Sequence, residues 1–254
     1  MINSLYPPDI KWITPPPSRF YADPFLIKRG DISYIFIEDY SYKDKKGRIS
    51  YLKTKDFKTF SDAIPVIDTP FHMSYPFMIE DGGKYYCIPE QFSSREVVLY
   101  ESKSFPDRWT KKATLLKDFP GIDPTIIRHN ELWWLFISNH EDKESCKLYL
   151  FYSEKLEGNW IPHKNNPVKY FPKMTRPAGA IFKYKGKLIR PAQNSTNTYG
   201  GSTIFFEIVT LSTEDYKEVM IGELLPNLTS QYPDGLHHIT PNNSITIIDG
   251  KRLI

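Results

Sequence analysis

One unit recurs four times along the chain, and it limits the fold more than any other feature of the sequence. A residue followed by proline opens a short apolar run, a polar turn follows, and a second apolar run returns. Residues 121 to 139 hold the clearest copy, with Asp123-Pro124 at the entrance, a turn at Arg128 to Glu131 and the aromatic run Leu132 to Ile137. The same pattern stands at Ala22 to Asp39, at residues 75 to 90 and at residues 176 to 194. The anchoring prolines Pro24, Pro76, Pro124 and Pro177 are separated by 52, 48 and 53 residues. Repeats of this length, each holding several short strands, are the mark of propeller blades.

The expected fold is therefore all-β, a single five-bladed β-propeller domain over residues 1–254. Blade one is read as Asp23 to Lys28, Ser33 to Asp39, Arg48 to Lys53 and Pro65 to Asp68. Blade two takes Tyr75 to Ile79, Lys84 to Pro89, Val97 to Ser102 and Lys111 to Lys117. Blade three takes Asp123 to Arg128, Leu132 to Ser138, Lys147 to Ser153 and a strand near Val168; blade four takes Arg176 to Tyr184, Lys187 to Ala192, Thr203 to Leu211 and Lys217 to Leu225. Only Leu236 to Thr240 and Ser244 to Ile248 remain for a fifth blade. The strand Ile10 to Thr14 is expected to pair with them and close the ring, because an unclosed propeller leaves sheet edges.

Counting from each proline to the end of the second run gives Glu38, Glu90, Ser138 and Pro191, 14 residues on in every case. The start of a first strand and the end of a second lie on one rim. That rim gathers Asp23, Glu38, Tyr75, Glu90, Asp123, Asn139, His140, Arg176 and Gln193, whereas the opposite rim receives ordinary turn residues. A concavity with convergent polar groups is the default binding site.

Asp23, Glu90 and Asp123 are the candidate catalytic carboxylates, since chemistry at a sugar's anomeric carbon needs an acid and a base or nucleophile on either side of it. The structural alternative is that Asp before Pro accepts backbone N–H groups at a strand entrance. Glu38, at the same rim, pairs equally well with a neighbouring cation. Arg176 and Arg190 suit an acidic or phosphorylated sugar or a sugar nucleotide, or else neutralise those carboxylates. His237 and His238 open the last sheet, where a channel histidine holds water, a calcium ion or a structural hydrogen bond. No metal ligand set is read from the sequence, and that calcium ion is the one cofactor left open.

Composition narrows the remaining classes. The net charge of +3 comes from interspersed Lys and Glu and makes no case for a nucleic acid polymer. Cys87 and Cys146 are the only cysteines, too few for a disulfide framework or a zinc site. No apolar run approaches a membrane span and no leader pattern opens the chain, so a cytoplasmic setting is expected and three Asn-X-Ser/Thr matches are read as chance.

The motifs Tyr-Ala-Asp-Pro-Phe, Ser-Tyr-Pro-Phe with Ile-Pro-Glu, Asp-Pro-Thr-Ile with Leu-Trp-Trp-Leu-Phe, Gly-Asn-Trp-Ile-Pro-His at 158 to 163, and Arg-Pro-Ala-Gly with Arg-Pro-Ala-Gln occur in that order. Together they resemble the propeller domain at the N-terminus of plant glucosamine inositolphosphorylceramide transferases and its bacterial relatives. That resemblance implies a five-bladed propeller with a part in building glycans or glycolipids. More distantly the Asp-Pro openings resemble the arabinanase, invertase and levansucrase propellers. Carried over, Asp23 is base or nucleophile and Asp123 a positioning carboxylate. The acid departs from that pattern, because Arg176 stands where it is expected and Glu90 is the substitute. The function expected is glycosyl transfer, with a sugar, glycan or sugar nucleotide as ligand; the alternatives are a glycoside hydrolase of the arabinanase type and a non-catalytic glycan or sugar-nucleotide binding module.

Overall fold

The computed structural model describes residues 10–142, 147–171, 173–242 and 245–253. Blade one consists of β1 (Arg19–Arg29), β2 (Ile32–Ser41), β3 (Lys46–Thr54) and β4 (Ile64–Ile67), and blade two of β5 (Ser74–Asp81), β6 (Lys84–Glu90), β7 (Glu96–Ser104) and β8 (Arg108–Lys117). Blade three joins β9 (Gly121–His129), β10 (Leu132–Asn139) and β11 (Lys147–Ser153), with the short β12 (Ile161–Pro162) and β13 (Lys169–Tyr170) both paired to β11. Blade four is β14 (Phe182–Tyr184), β15 (Lys187–Asn194), β16 (Ser202–Leu211) and β17 (Tyr216–Leu224). Each is an antiparallel meander, as short polar turns between apolar runs require.

The remaining strands, β18 (Ile239–Asn242) and β19 (Ile245–Ile248), form a sheet of two. The expectation of five blades closed by the N-terminal strand is thereby overturned. The described residues build four full blades and a small fifth sheet, and residues 10 to 14 run beside it without strand pairing. Pro15, Pro16 and Pro17, directly behind that segment, lack the N–H donors with which a ladder would continue. The small sheet still bridges the gap between blades four and one. It lies against β1, and Ile239 N–H donates to Ala178 O at 2.8 Å.

Blades pack face to face, so their strands are apolar on both sides. In β2, Phe36 points into a core shared with Phe25, Phe77 and Ile88, whereas Ile35 and Ile37 join Leu26 and Leu52 on the other face. Trp134 and Phe136 of β10 pack with Leu188 and Ile208 of blade four, and Leu135 and Ile137 face blade two. Cys87 is a buried free thiol in β6; Cys146 lies outside the described residues. Among the described residues no helix is long and apolar enough to cross a membrane.

Candidate functional site

The rim register predicted from the proline spacing is common to three blades. Ala22 pairs with Glu38, Ser74 with Glu90 and Ile122 with Ser138, each partner standing two residues before and 14 after the blade's proline. Blade four departs from it, since Pro177 bridges Ala192. In the first three blades the ladder is interrupted at the residue before proline and the proline itself. Asp23, Tyr75 and Asp123 sit in that bulge with φ of 51°, 44° and 50°. The left-handed region is costly for these side chains, Tyr above all, and a bulge there re-aims the side chain toward the axis and frees its own backbone N–H from the ladder.

Carboxylates take up the freed donors, and each comes from another part of the ring. Asp249 Oδ2 accepts Asp23 N–H at 3.4 Å, Asp23 Oδ2 accepts Tyr75 N–H at 3.2 Å, and Glu90 Oε2 accepts Asp123 N–H at 3.1 Å. For Asp23 the structural alternative, an Asp before Pro that accepts a backbone N–H, is thus realised between blades rather than within one, whereas Asp123 accepts from the side chains of Arg176 and Gln193. Tyr75 is held from its far end as well, its hydroxyl 2.7 Å from Thr125 Oγ1 and accepting Gly179 N–H at 2.8 Å.

Arg176 completes the mouth. Its Nε donates to Asp123 Oδ2 at 2.5 Å, and one terminal nitrogen reaches Asp123 Oδ1 at 3.2 Å and Glu90 Oε2 at 3.4 Å. Gln193 Nε2 donates to Asp123 Oδ2 at 3.0 Å, while Gln193 Oε1 is buried without a hydrogen-bond partner. Glu38 is buried with Oε1 at 3.4 Å from His72 Nε2. His237 Nδ1 lies 2.8 Å from Asp249 Oδ2 and 3.7 Å from Asp23 Oδ1. His238 is fully buried, with Nε2 at 2.8 Å from Thr240 Oγ1 and Nδ1 at 3.7 Å from Asp23 Oδ1. Tyr199, 53% exposed, sits over Arg176 with 5.4 Å from guanidinium to ring centre.

Burial dominates the electrostatics of this cluster. It raises the Asp23 carboxyl to about 7 and the Asp123 carboxyl to about 8, the latter against the pull of Arg176. Glu38 is pushed well above the carboxylate range by burial and by the charges of Asp23 and Glu90. Burial opposes charge on His237, yet Asp249 and Asp23 bring it up to about 9. His238, buried beside that imidazolium, falls to about 3. Burial also works against the Asp249 charge, and His237 overcomes it and holds that carboxyl below its ordinary value.

Three predicted residues stand apart from the mouth. Asn139 caps its own turn, its Oδ1 accepting Glu141 N–H at 2.8 Å, and His140 is exposed and stacked on Phe92 at 3.9 Å between ring centres. Arg190 is fully buried inside blade four, where Nε and a terminal nitrogen grip Glu218 at 2.7 and 2.8 Å and another reaches Thr175 O at 3.1 Å. Its side chain alternates away from the rim along β15, and the ion pair is structural. Conversely, Asp249 belongs to the site without carrying a sequence signal for it. It follows an isoleucine-rich strand as a lone Asp-Gly, which reads as a turn, and only the ring brings it to Asp23. Asp23, His237 and Asp249 each present one ligand atom, all within 4.8 Å of one another. Two carboxylates and one imidazole suit a divalent cation that fills its other positions with water.

A family model described as "Glucosamine inositolphosphorylceramide transferase 1, N-terminal" matches residues 12–230. Glucosamine inositolphosphorylceramide transferase 1 of Oryza sativa subsp. japonica is 34% identical over 212 residues, 81% of this chain and 28% of that protein. Its counterpart of the same name in Arabidopsis thaliana is 32% identical over 253 residues, 93% of this chain and 33% of that protein. The chain thus spans about a third or less of the length of these relatives. Among solved structures, a family 117 glycoside hydrolase of the marine bacterium Zobellia galactanivorans superposes with a TM-score of 0.62 at 15% identity, over 82% of this chain and 71% of that one. An exo-β-1,3-galactanase of Phanerochaete chrysosporium, solved with β-1,3-galactotriose, gives 0.61 at 15% identity over 79% of this chain and 49% of its own. At these identities the likeness is one of fold.

Proposed function

The chain belongs to the family of glucosamine inositolphosphorylceramide transferase N-terminal domains, and from that premise we propose that it is a carbohydrate-active protein of glycan or glycolipid biosynthesis, acting by glycosyl transfer at an anomeric centre. The observation that carries the reading is the convergence of Asp23, Glu90 and Asp123 from three blades on one buried mouth with Arg176. An oxocarbenium-like transition state gathers positive charge, and a carboxylate of such a mouth that is ionised at that moment stands opposite it in low-dielectric surroundings that strengthen the interaction. Asp23 is assigned as base or nucleophile, since a carboxyl brought to about 7 exchanges a proton readily near neutral pH. Asp123, clamped by Arg176 and Gln193, positions the sugar; Glu90 is the acid. The relatives' name describes proteins about three times as long, and it enters here only as a direction for choosing substrates.

Asp23→Asn tests the assignment cleanly, because an asparagine oxygen still accepts the Tyr75 N–H while the ionisable group is gone. Turnover measured with a panel of nucleotide sugars and glycolipid acceptors is expected to fall by about 10²- to 10⁴-fold with ligand affinity kept within a few-fold. Unchanged turnover removes Asp23 from the chemistry. A second reading, a non-catalytic glycan-binding module, draws on Asp23 and Glu90 capping backbone N–H groups. Saturable glycan binding by a wild-type protein that turns over no donor would establish it.

A further inference from the structure

Each full blade continues past its second strand, β2 into β3, β6 into β7, β10 into β11 and β15 into β16, whereas the small sheet stops at β19. The ladder shows which way the unused main-chain groups of β19 point. Antiparallel pairs alternate between those that exchange both hydrogen bonds and those that exchange none. Ile239 donates its N–H away from β19, to Ala178 O at 2.8 Å, so its pair with Ile248 is of the second kind. The next position agrees, since Asp249 N–H donates to His238 O at 3.3 Å. Two residues back from Ile248, Thr246 stands opposite Pro241, which has no N–H to offer. The N–H and C=O groups of Thr246 and Ile248 therefore face away from β18, and no backbone hydrogen bond among the described residues takes them up.

Both residues line a cleft of about 980 Å³, shared with blade one and residues 10–17, which has room for side chains as well as a backbone. Ile35, Ile37 and Leu52 pack with Ile247 at its base, and Phe57 extends the apolar wall. Lys11 and Arg252 line it as exposed cations, and its one carboxylate, Asp249, is engaged by His237. Main-chain donors and acceptors removed from water are nearly always paired, and a strand edge between apolar walls is where an extended chain adds itself. Its backbone takes the hydrogen bonds and its alternate side chains take the walls. We propose that β19 is a docking edge for an extended segment of another polypeptide, which supplies the third strand of the small sheet. The segment carries apolar residues at alternate positions and Asp or Glu toward Lys11 and Arg252. This inference is independent of the chemistry at the carboxylate mouth.

Selection of displayed random octapeptides on the full chain, with the Thr246→Pro protein as counter-target, tests it. Proline at 246 removes an outward N–H and leaves the bonds between β18 and β19 in place. Peptides that alternate apolar residues and carry Asp or Glu are expected to be enriched. The most enriched one, made synthetically, is expected to bind wild type at least tenfold more tightly than Thr246→Pro. In the complex the Thr246 and Ile248 amides should exchange at least tenfold more slowly by NMR, with the Ile247 amide, already in the ladder, little changed. Lys11→Glu with Arg252→Glu is expected to weaken that peptide at least fivefold. No enrichment over the counter-target overturns the proposal, as does unchanged affinity in either variant. So does a dimer, seen by sedimentation, that Thr246→Pro dissociates, because it assigns the edge to a second copy. Should Thr246→Pro not fold, two versions of a peptide selected on wild type alone, N-methylated at odd or at even residues, decide. One of the two is expected to lose at least tenfold in affinity, and full binding by both overturns the proposal. The Asp23→Asn turnover assay is read separately, so loss of the catalytic reading and loss of the docking edge are told apart.

Discussion

Asp23 does two things at once. Its Oδ2 accepts the Tyr75 N–H that the bulge set free, and its burial makes ionisation costly. A carboxyl raised from 3.8 to about 7 binds its proton more tightly folded than unfolded, so its contribution to stability is full below about pH 4 and is lost as pH rises toward 7. His237, raised from 6.5 to about 9, continues the loss through the alkaline range, and Asp249, held low, acts in the opposite sense only in acid. In metal-free buffer the melting temperature is therefore expected to fall between pH 5 and pH 9. Asp23→Asn should melt several degrees higher than wild type at pH 8 and show no such gain at pH 4, the buried ionisation being worth about 2–4 kcal/mol. A pH-independent difference between the two proteins would refute this account. The residue types of the mouth were legible in the sequence because they recur at one offset from a proline. Asp249, which follows no such offset, was not.

At the scale of elements the strand pairs were readable nearly residue for residue. Alternating apolar runs such as Leu132 to Ile137 and turns such as Glu80 to Gly83 are local signals, and β5 to β11 fall within a few residues of where the pattern puts them. Blade four was the exception, since its first strand was read over Arg176 to Tyr184 and the ladder holds only Phe182–Tyr184 behind the lone Pro177 bridge. Gly179 explains the break. With φ of 123°, it passes so close to the small sheet that a Cβ would lie 1.9 Å from Ile239 O. Gly179→Ala is therefore expected to cost more than about 2 kcal/mol and to lower the melting temperature accordingly. A variant as stable as wild type would mean that the blade-four junction has room the packing does not suggest.

For the whole molecule the weak point is the closure. Four blades support one another through shared cores, whereas the two-stranded sheet rests on Ile239, Leu236 and Ile247 and on the bonds that Asp249 makes to Asp23, His237 and His238 N–H groups. Hydrogen exchange is expected to be faster in β18 and β19 than in β6 and β10, and Asp249→Ala should widen that gap while leaving blades two and three protected. Uniform protection across the ring, or collapse of every blade together in the variant, would rule out a locally opening closure.

Sequence alone determined the all-β class, the blade length, the prolines that start three bulges and the carboxylates beside them, because periodicity and turn chemistry act over a few residues. The tertiary structure decided what the ring brings together across long stretches of chain. It made four blades and a small sheet rather than five, set Arg190 inside a blade, brought Asp249 to Asp23 across 226 residues, and left an apolar cleft beside the mouth. Those outcomes depend on which buried donors find acceptors and which faces find cover, and both are settled only when distant strands meet.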